Sequence, residues 1–440
     1  MTAASSQLSS AITSPKPANA QANLPGPLQT LHAAQNRKAA PVKFSGLILF
    51  MASLGWAETC PNLVKGIERP SDELSFQPCA GSSPAHPKES MMRFYHHSHR
   101  FYCGIDLHAR LLAICVLDNE GAIVLQTQIP ASQQLLLDTL APYRPDVVVA
   151  VECLFAWYWV ADLCRAHHIP FVLGHALYMK AIHGGKSKND DIDAEKIARL
   201  LRGGNIPVAY VYPKGLRETR DLLRRRMHLV HKRAELVTHI QIINAQNNLP
   251  EFGKKLIYAK NRAELKIAER FENPQVRKSV EVDLALIDAL DKQIGDLELY
   301  LERTAKVEDP QTYHLLKTIG GVGKILGLVL LYEIHDIRRF AEVGEFLSYA
   351  RLVRCVHESA GKKLGYGGKK IGNAHLKWAF SEAVCLLVRN YPVVKIWQAR
   401  KQQKHGKKKT LGILAAKLGR AVYHMLRKKE AFDVRRFLGQ

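Results

Sequence analysis

From position 101 the chain alternates short apolar runs with turn residues. The pattern predicts three strands in succession: Tyr102 to His108, Leu111 to Leu117 and Ala122 to Ile129, the last two parted by the turn Asp118-Asn119-Glu120-Gly121. Such short connections make an antiparallel meander. A helix over Ser132 to Leu140 follows. Then comes Asp146 to Val151, an apolar run too short for a helix and rich in β-branched residues, as a buried strand should be. A helix from Ala156 to His167, a strand Phe171 to Gly174 and a helical segment reaching Ile182 complete this unit. Three strands followed by helix–strand alternation predict an α/β fold with a mixed sheet.

The middle of the chain changes period. Leu222, Leu229, Leu236 and Ile243 recur every seven residues, with Leu223, Val230 and Val237 beside them and Arg217, Arg220, Arg224, Arg225, Arg226, Lys232 and Arg233 supplying charge, which predicts a long amphipathic helix with a basic flank over 216–247. A second helix carries Leu284, Ile287, Leu290, Ile294, Leu297 and Leu301. The two fit an antiparallel arm, a join between two subunits, or a plain hairpin within one chain. Beyond them, the glycines of Leu316-Lys-Thr-Ile-Gly-Gly-Val-Gly323 resemble the turn of a helix-hairpin-helix, although such turns between helices are common without a ligand. A Gly/Lys-rich loop spans Ser359 to Gly372, and helical segments 374–389 and 411–428 surround a basic run, Lys401 to Lys409.

Residues 1 to about 90 show no sustained period and are rich in Ala, Ser, Pro and Gln, the composition of a disordered extension; a natural start at Met91 or Met92 would make them upstream sequence. The apolar stretch Phe44 to Ala57 is too short for a membrane span.

Lys plus Arg number 63 against 40 Asp plus Glu, a formal charge of +23 that favours a polyanionic partner, nucleic acid ahead of an anionic membrane. The eight cysteines form no C-x-x-C pair and read as buried free thiols of a reducing cytoplasm, not as a disulfide or zinc framework. On this reading the protein is soluble, with no membrane partner. Arg224, Arg225 and Lys232 on the basic helix, with Lys362, Lys363, Lys369 and Lys370 in the loop, are the candidate phosphate contacts, because lysine and arginine neutralise and glycine lets the backbone approach.

The candidate chemistry lies in carboxylates. Asp106 sits inside Cys103-Gly-Ile-Asp-Leu107, and Glu152 closes the run Val147 to Val151. A charge on a buried strand needs a partner, a metal or a shifted pKa. Asp190 and Asp193, in Lys188-Asn-Asp-Asp-Ile-Asp-Ala194, are three apart at the start of a helix and share a face, leaving Asp191 to solvent. Taken singly, each acid has a structural reading, as turn residue, salt-bridge partner or favourable charge at a helix N-terminus. As a set, four carboxylates would be balanced by two divalent cations, and Mg2+ suits an all-oxygen site.

These residues, with Gly104-Ile-Asp-Leu-His108, Val151-Glu-Cys153, Thr318 to Gly323, Phe340, Glu358-Ser-Ala-Gly361 and Ile371-Gly-Asn373, resemble the DEDD transposases of the "one-ten" insertion-sequence family over about 101–430. The resemblance implies a resolvase-like, ribonuclease-H-like catalytic domain at 99–212 after an extension 1–98, a coiled-coil linker at 213–308 and a mainly helical transposase domain at 309–440. It also implies the acidic tetrad Asp106, Glu152, Asp190 and Asp193, Ser359 as nucleophile, a guide RNA pairing with donor and target DNA, a homo-oligomer (dimer or tetramer) and a place beside the prokaryotic nucleoid. Ala360 departs from the pattern, because the family often places Gly directly after the serine. Two other readings compete. A sugar-kinase or actin-like ATPase also opens on a Gly-Ile-Asp strand, but Leu107-His-Ala-Arg110 lacks its glycine turn. A non-catalytic nucleic-acid-binding protein explains the charge but not acids on buried strands.

Overall fold

The predicted strands and helices of the first unit form with ends within one residue of those read from the sequence. They are β1 (Phe101–Leu107), β2 (Leu111–Asp118), β3 (Ile123–Pro130), α1 (Gln133–Leu140), β4 (Val147–Glu152), α2 (Trp157–Ala166), β5 (Phe171–Gly174) and α3 (Ala176–Ile182), followed by α4 (Asp190–Arg202). The computed structural model describes residues 93–182, 189–305, 307, 309–367 and 370–439, all in the compact unit Pro70–Gln440. The extension read before residue 93 lies outside the described residues.

The sheet order is β3-β2-β1-β4-β5, with β2 antiparallel to both its neighbours and β4 and β5 parallel to β1. This mixed sheet is consistent with a ribonuclease-H-like fold. Successive side chains of a strand point to opposite faces. One face carries Cys103, Ile105 and Leu107 with Val147, Val149 and Val151, packed against Leu136 and Leu140 of α1 and Trp157 and Val160 of α2. The other carries Tyr102, Val148 and Ala150, packed against Ala194, Ile197, Ala198 and Leu201 of α4. Both strands are therefore buried on both sides, which is why they read as unbroken apolar runs.

Residues 93–98, assigned by sequence to the extension, belong instead to the fold. Phe94 bridges Pro207, Val208 N donates to Arg93 O at 2.8 Å, and Arg93 Nη2 donates to the Arg339 carbonyl at 2.6 Å. His99 Nδ1 meets Asp146 Oδ1 at 2.7 Å, and Arg100 N donates to the same carboxylate at 3.0 Å; these bonds hold the Asp146 carboxyl below its usual range. A chain lacking residues 93–99 is therefore expected to melt a few degrees below one starting at Met91, through loss of roughly 1–2 kcal/mol. Equal melting temperatures would show that the segment adds nothing.

The basic helix is α5 (Leu216–Gln246), which after α6 (Ala259–Leu265) is met by α7 (Pro274–Thr304). The two long helices run antiparallel as a hairpin within one chain, cross-linked by the ion pairs Arg226–Glu298 and Arg233–Asp291 and by a 2.6 Å hydrogen bond between His239 Nδ1 and Asp283 Oδ2. Their seam is shifted from the predicted heptad toward the residues read beside it, Leu223 and Val237. On α5 the buried residues include Leu223, Met227, Val237, Ile240 and Ile243, whereas Leu222, Leu229 and Leu236 are only half-buried. The shift arises because the first half of α5 packs on other elements: Arg217 donates to Asp162 of α2 at 2.6 and 2.7 Å, while Leu216 and Leu223 enter the C-terminal core.

The C-terminal region comprises the helices α8 (Pro310–Lys317), α9 (Lys324–Ile334), α10 (Val343–Tyr349), α11 (Ala374–Asn390), α12 (Pro392–His405), α13 (Lys407–Lys428) and α14 (Val434–Leu438), which build that core, and the hairpin β6 (Cys355–Ser359) and β7 (Lys362–Gly367), whose described residues contribute nothing to it. Every residue from Leu326 to Ile334 of α9 is buried, making it the central helix. The Gly/Lys-rich stretch read as a loop is largely this two-stranded hairpin, and the basic run read as lying between helices is itself helical, broken only at Gly406. The glycine turn before α9 is closed by packing. Gly321 has φ +97°, and a Cβ there would come 2.5 Å from Leu386 Cβ of α11. Close helix approach thus accounts for this glycine without a phosphate.

Candidate metal centre and the residues around it

In parallel strands, β1 pairs with β4 so that Ile105 stands beside Val151. One residue on, Asp106 and Glu152 fall side by side at the strand ends and on the face covered by α4. The approach of α4 depends on Gly104, where a Cβ would lie 2.3 Å from Ala194 O and Ala198 N. Only glycine lets the helix backbone rest on β1, and this brings the first turn of α4 over Asp106. That turn is capped by Asn189, whose side chain accepts from Ile192 N at 2.7 Å, and it carries Asp190, Asp191 and Asp193. Acids suit a helix N-terminus, where the dipole is positive.

Three groups converge there. His108 Nε2 lies 3.2 Å from Asp106 Oδ2 and 3.4 Å from Asp190 Oδ1, and one ligand atom from each of the three falls within 4.8 Å of the others. Asp106 is 9% exposed. Burial pushes its carboxyl above the usual range, as do the charges of Asp190 and Asp193, while His108 opposes them. A buried carboxylate facing two more is an arrangement that a divalent cation stabilises, and the donors fit one. Asp193, one turn along α4, accepts from Lys196 Nζ at 3.0 Å. Asp191, expected to face solvent, is half-buried and accepts from Gln128 Nε2 of β3 at 2.9 Å.

His108 escaped the sequence reading, which sought an all-oxygen set. Its signal was present, two residues past Asp106, but a histidine at a strand end reads as a solvated turn residue. Among the described residues Cys103, Cys115 and Cys164 are buried thiols, as expected, whereas Cys153, just past the end of β4, and Cys385, on the outer side of α11, are exposed where burial was expected.

Ser359 ends β6, exposed at the tip of the separate hairpin. It pairs with Lys362 across a two-residue turn in which Ala360 (φ +49°) and Gly361 (φ +73°) are both left-handed. Such turns favour glycine or asparagine at both positions, so Ala360 is strained and occupies the place where the family pattern puts a glycine. Lys362 and Lys370 are exposed; the Lys363 side chain and Lys369 lie outside the described residues.

The basic flank of α5 has other partners. Arg224, expected to meet phosphate, donates to both oxygens of Glu333 at 2.6 and 2.8 Å, and the exposed Lys232 donates to Glu235 at 3.0 Å. Arg225 is exposed. Glu333 is 1% exposed and also accepts from Asn373 Nδ2 at 2.8 Å. Burial raises its carboxyl, but the hydrogen bonds and charge of Arg224, with Asn373, outweigh this and hold it below the usual range. Asn373 also caps α11, and Tyr212, leading into α5, donates to the Glu333 carbonyl at 2.9 Å. The cluster locks the segment after the sheet unit, α5, α9 and the segment after β7 together.

A mixed five-stranded sheet with carboxylates gathered at adjacent strand ends and at a helix start makes this an α/β protein with an acidic cluster, consistent with a ribonuclease-H-like fold. Two family models match it: a DEDD transposase model, described as Transposase, over residues 103–244, and one described as Transposase IS116/IS110/IS902 family over residues 313–398. The chain belongs to the IS110 family of transposases. No curated protein matches it. The ATPase reading falls with this finding. Among the described residues no helix is long and apolar enough to cross a membrane.

Proposed function

We propose that this transposase cuts and exchanges DNA strands at the ends of an insertion sequence and at its target, guided by a structured RNA, with Asp106, Glu152, Asp190 and Asp193 as the acidic centre and Ser359 as the nucleophile. The observation that carries the reading is the approach of Asp106, His108 and Asp190 to within ligand distance of one another beside Glu152. Divalent cations at this centre, Mg2+ in pairs, would supply positive charge to the scissile phosphate and to the attacking and leaving oxygens. Asp106 and Asp190 would hold them, with His108 adding a nitrogen donor and Glu152 and Asp193 completing the set.

The chain's own part is positioning and proton transfer. The Ser359 hydroxyl gives up its proton, its oxygen bonds to phosphorus, and the sugar oxygen leaves carrying a proton, so that one phosphoester replaces another. A free hydroxyl of the new strand then reverses the step. A serine is a weak nucleophile at its ordinary pKa, so Ser359 has to reach the acidic centre. The two lie on different domains, which favours a site completed by a second copy of the chain.

The test uses element-end DNA, guide RNA and Mg2+ or Mn2+. Wild-type protein should cut the DNA and become covalently attached to it, and Ser359→Ala should lose the adduct. A mixture of Ser359→Ala and Asp106→Ala subunits should recover part of the activity if the site is shared, and none if it lies within one chain. An adduct that survives Ser359→Ala would assign the nucleophile elsewhere.

A further inference from the structure

The positive charge of α5 is largely neutralised within the chain: Arg217, Arg224, Arg226 and Arg233 are each paired with a carboxylate. A second basic region, on α12 and the start of α13, carries six cations without such partners among the described residues. Between Glu382 and Glu430 there is no Asp or Glu, while thirteen Lys and Arg occupy the interval. Helix α12 buries only Val394 and leaves Lys395, Arg400, Lys401 and Lys404 exposed; Lys407 and Lys408 extend the exposed charge across Gly406 onto α13. None of these six makes an ion pair among the described residues. Their mutual repulsion is visible in their neighbours. Partial burial and then the charges of Lys401 and Arg420 hold the Lys417 amine below its usual range, and desolvation followed by Lys409, Lys404 and Lys401 does the same to His405.

We propose that the exposed face of α12 and the start of α13 is a docking surface for duplex DNA, gripping the phosphate backbone of either element end or target. The proposal rests on the reading of the chain as a protein that acts on DNA, and it names where that DNA is held. Uncompensated cations on a rigid surface match a polyphosphate, since a duplex carries one charge per about 1.7 Å of axis and α12 alone spans roughly 21 Å. Single-stranded partners are a poorer match, because they are held by stacking on open aromatic rings. Trp397 is the ring available on α12, and it is half-buried with the ammonium groups of Lys401 and Lys417 each 5.6 Å from its centroid. It braces α12 against α13 and offers no free platform.

The experiment measures binding of the full chain to a short labelled duplex by fluorescence anisotropy over roughly 50 to 200 mM salt. EDTA is present throughout, so that a failure of the metal or serine reading leaves the result untouched. The variant Lys401→Gln, Lys404→Gln, Lys408→Gln should bind about tenfold or more weakly, with a log–log salt slope shallower by about 2 to 3, one step per lost phosphate contact. The corresponding triple Lys→Arg variant should keep the wild-type slope, which guards against a folding defect. Lys254→Gln, Lys266→Gln, Lys278→Gln, at lysines paired with Glu264, Glu269 and Glu281, should also leave it unchanged. An unchanged slope in the first variant overturns the proposal. So does an equal loss in the hairpin control, or a loss seen only with a structured RNA while duplex DNA binding persists.

Discussion

Asp106→Asn is expected to raise the melting temperature of the metal-free protein while removing DNA cleavage. The carboxyl is buried, faces Asp190 and Asp193, and is pushed above its usual range by burial first and those charges next. A raised folded-state pKa means that the ionised form is penalised by folding. The penalty is present at neutral pH and fades as pH falls through the folded pKa toward that of a free carboxyl near 4. The stability gap between variant and wild type should therefore be widest near neutrality and narrow as the buffer is acidified. Divalent cation should reverse the order. Wild type gains about 2.7 kcal/mol when the ion is a hundredfold above its dissociation constant, and the variant gains far less. Cleavage should fall by more than the 10–100-fold typical of losing an outer-shell partner. Thermal melts with and without Mg2+ or Mn2+, run beside a nicking assay, read both effects. A variant that is stabilised by the ion as strongly as wild type would remove Asp106 from the centre.

The second large effect is expected far from any chemistry. Glu333→Ala strands the Arg224 guanidinium and the Asn373 amide at the junction of the sheet unit, α5 and the C-terminal core. Breaking a buried pair by removing one partner costs about 3–5 kcal/mol, on the order of 10 °C in melting temperature for a chain of this size. Because the folded-state pKa of Glu333 is depressed, its contribution is full above the range where a free glutamate titrates and is lost as pH falls through the folded value. The wild-type advantage over Glu333→Ala should accordingly shrink in acid, the same direction as for a salt bridge and opposite to Asp106 in the sign of the stability change. Urea unfolding at neutral and acid pH measures it. A cost below about 1 kcal/mol would mark the pair as solvated.

Glu333 also shows where reading along the chain stops working. Arg224 stands in a run of basic residues, and local pattern assigns such a run to an anionic partner. Its carboxylate is 109 positions away on a helix that is apolar almost throughout, so no local pattern pairs the two. The same holds for Arg217 with Asp162 and Arg226 with Glu298. The α12–α13 lysines, read in the sequence only as a basic run, lie in a stretch without Asp or Glu, and the fold brings no carboxylate to the six exposed cations among the described residues. His108 is the converse case, a residue inside a quoted motif whose two acidic neighbours appear only once α4 lies over β1.

The sheet was legible because its physics is local. Runs such as Val147 to Val151, β-branched and apolar on both faces, have no stable place except between other layers, and turns such as Asp118 to Gly121 set the meander without distant help. The side-by-side placement of Asp106 and Glu152 follows from the alternation of strand residues once the β1–β4 register is known, and that register is a property of the folded sheet. The turn after Ser359 is similar: the sequence shows an Ala where a Gly is usual, and only the backbone reveals that Ala360 sits at a left-handed position. Periodicity thus determined the elements, because burial acts on each side chain in turn. Tertiary structure alone decided the partners of charged groups, because Coulomb and hydrogen-bond energies depend on distances between residues that are remote in the chain.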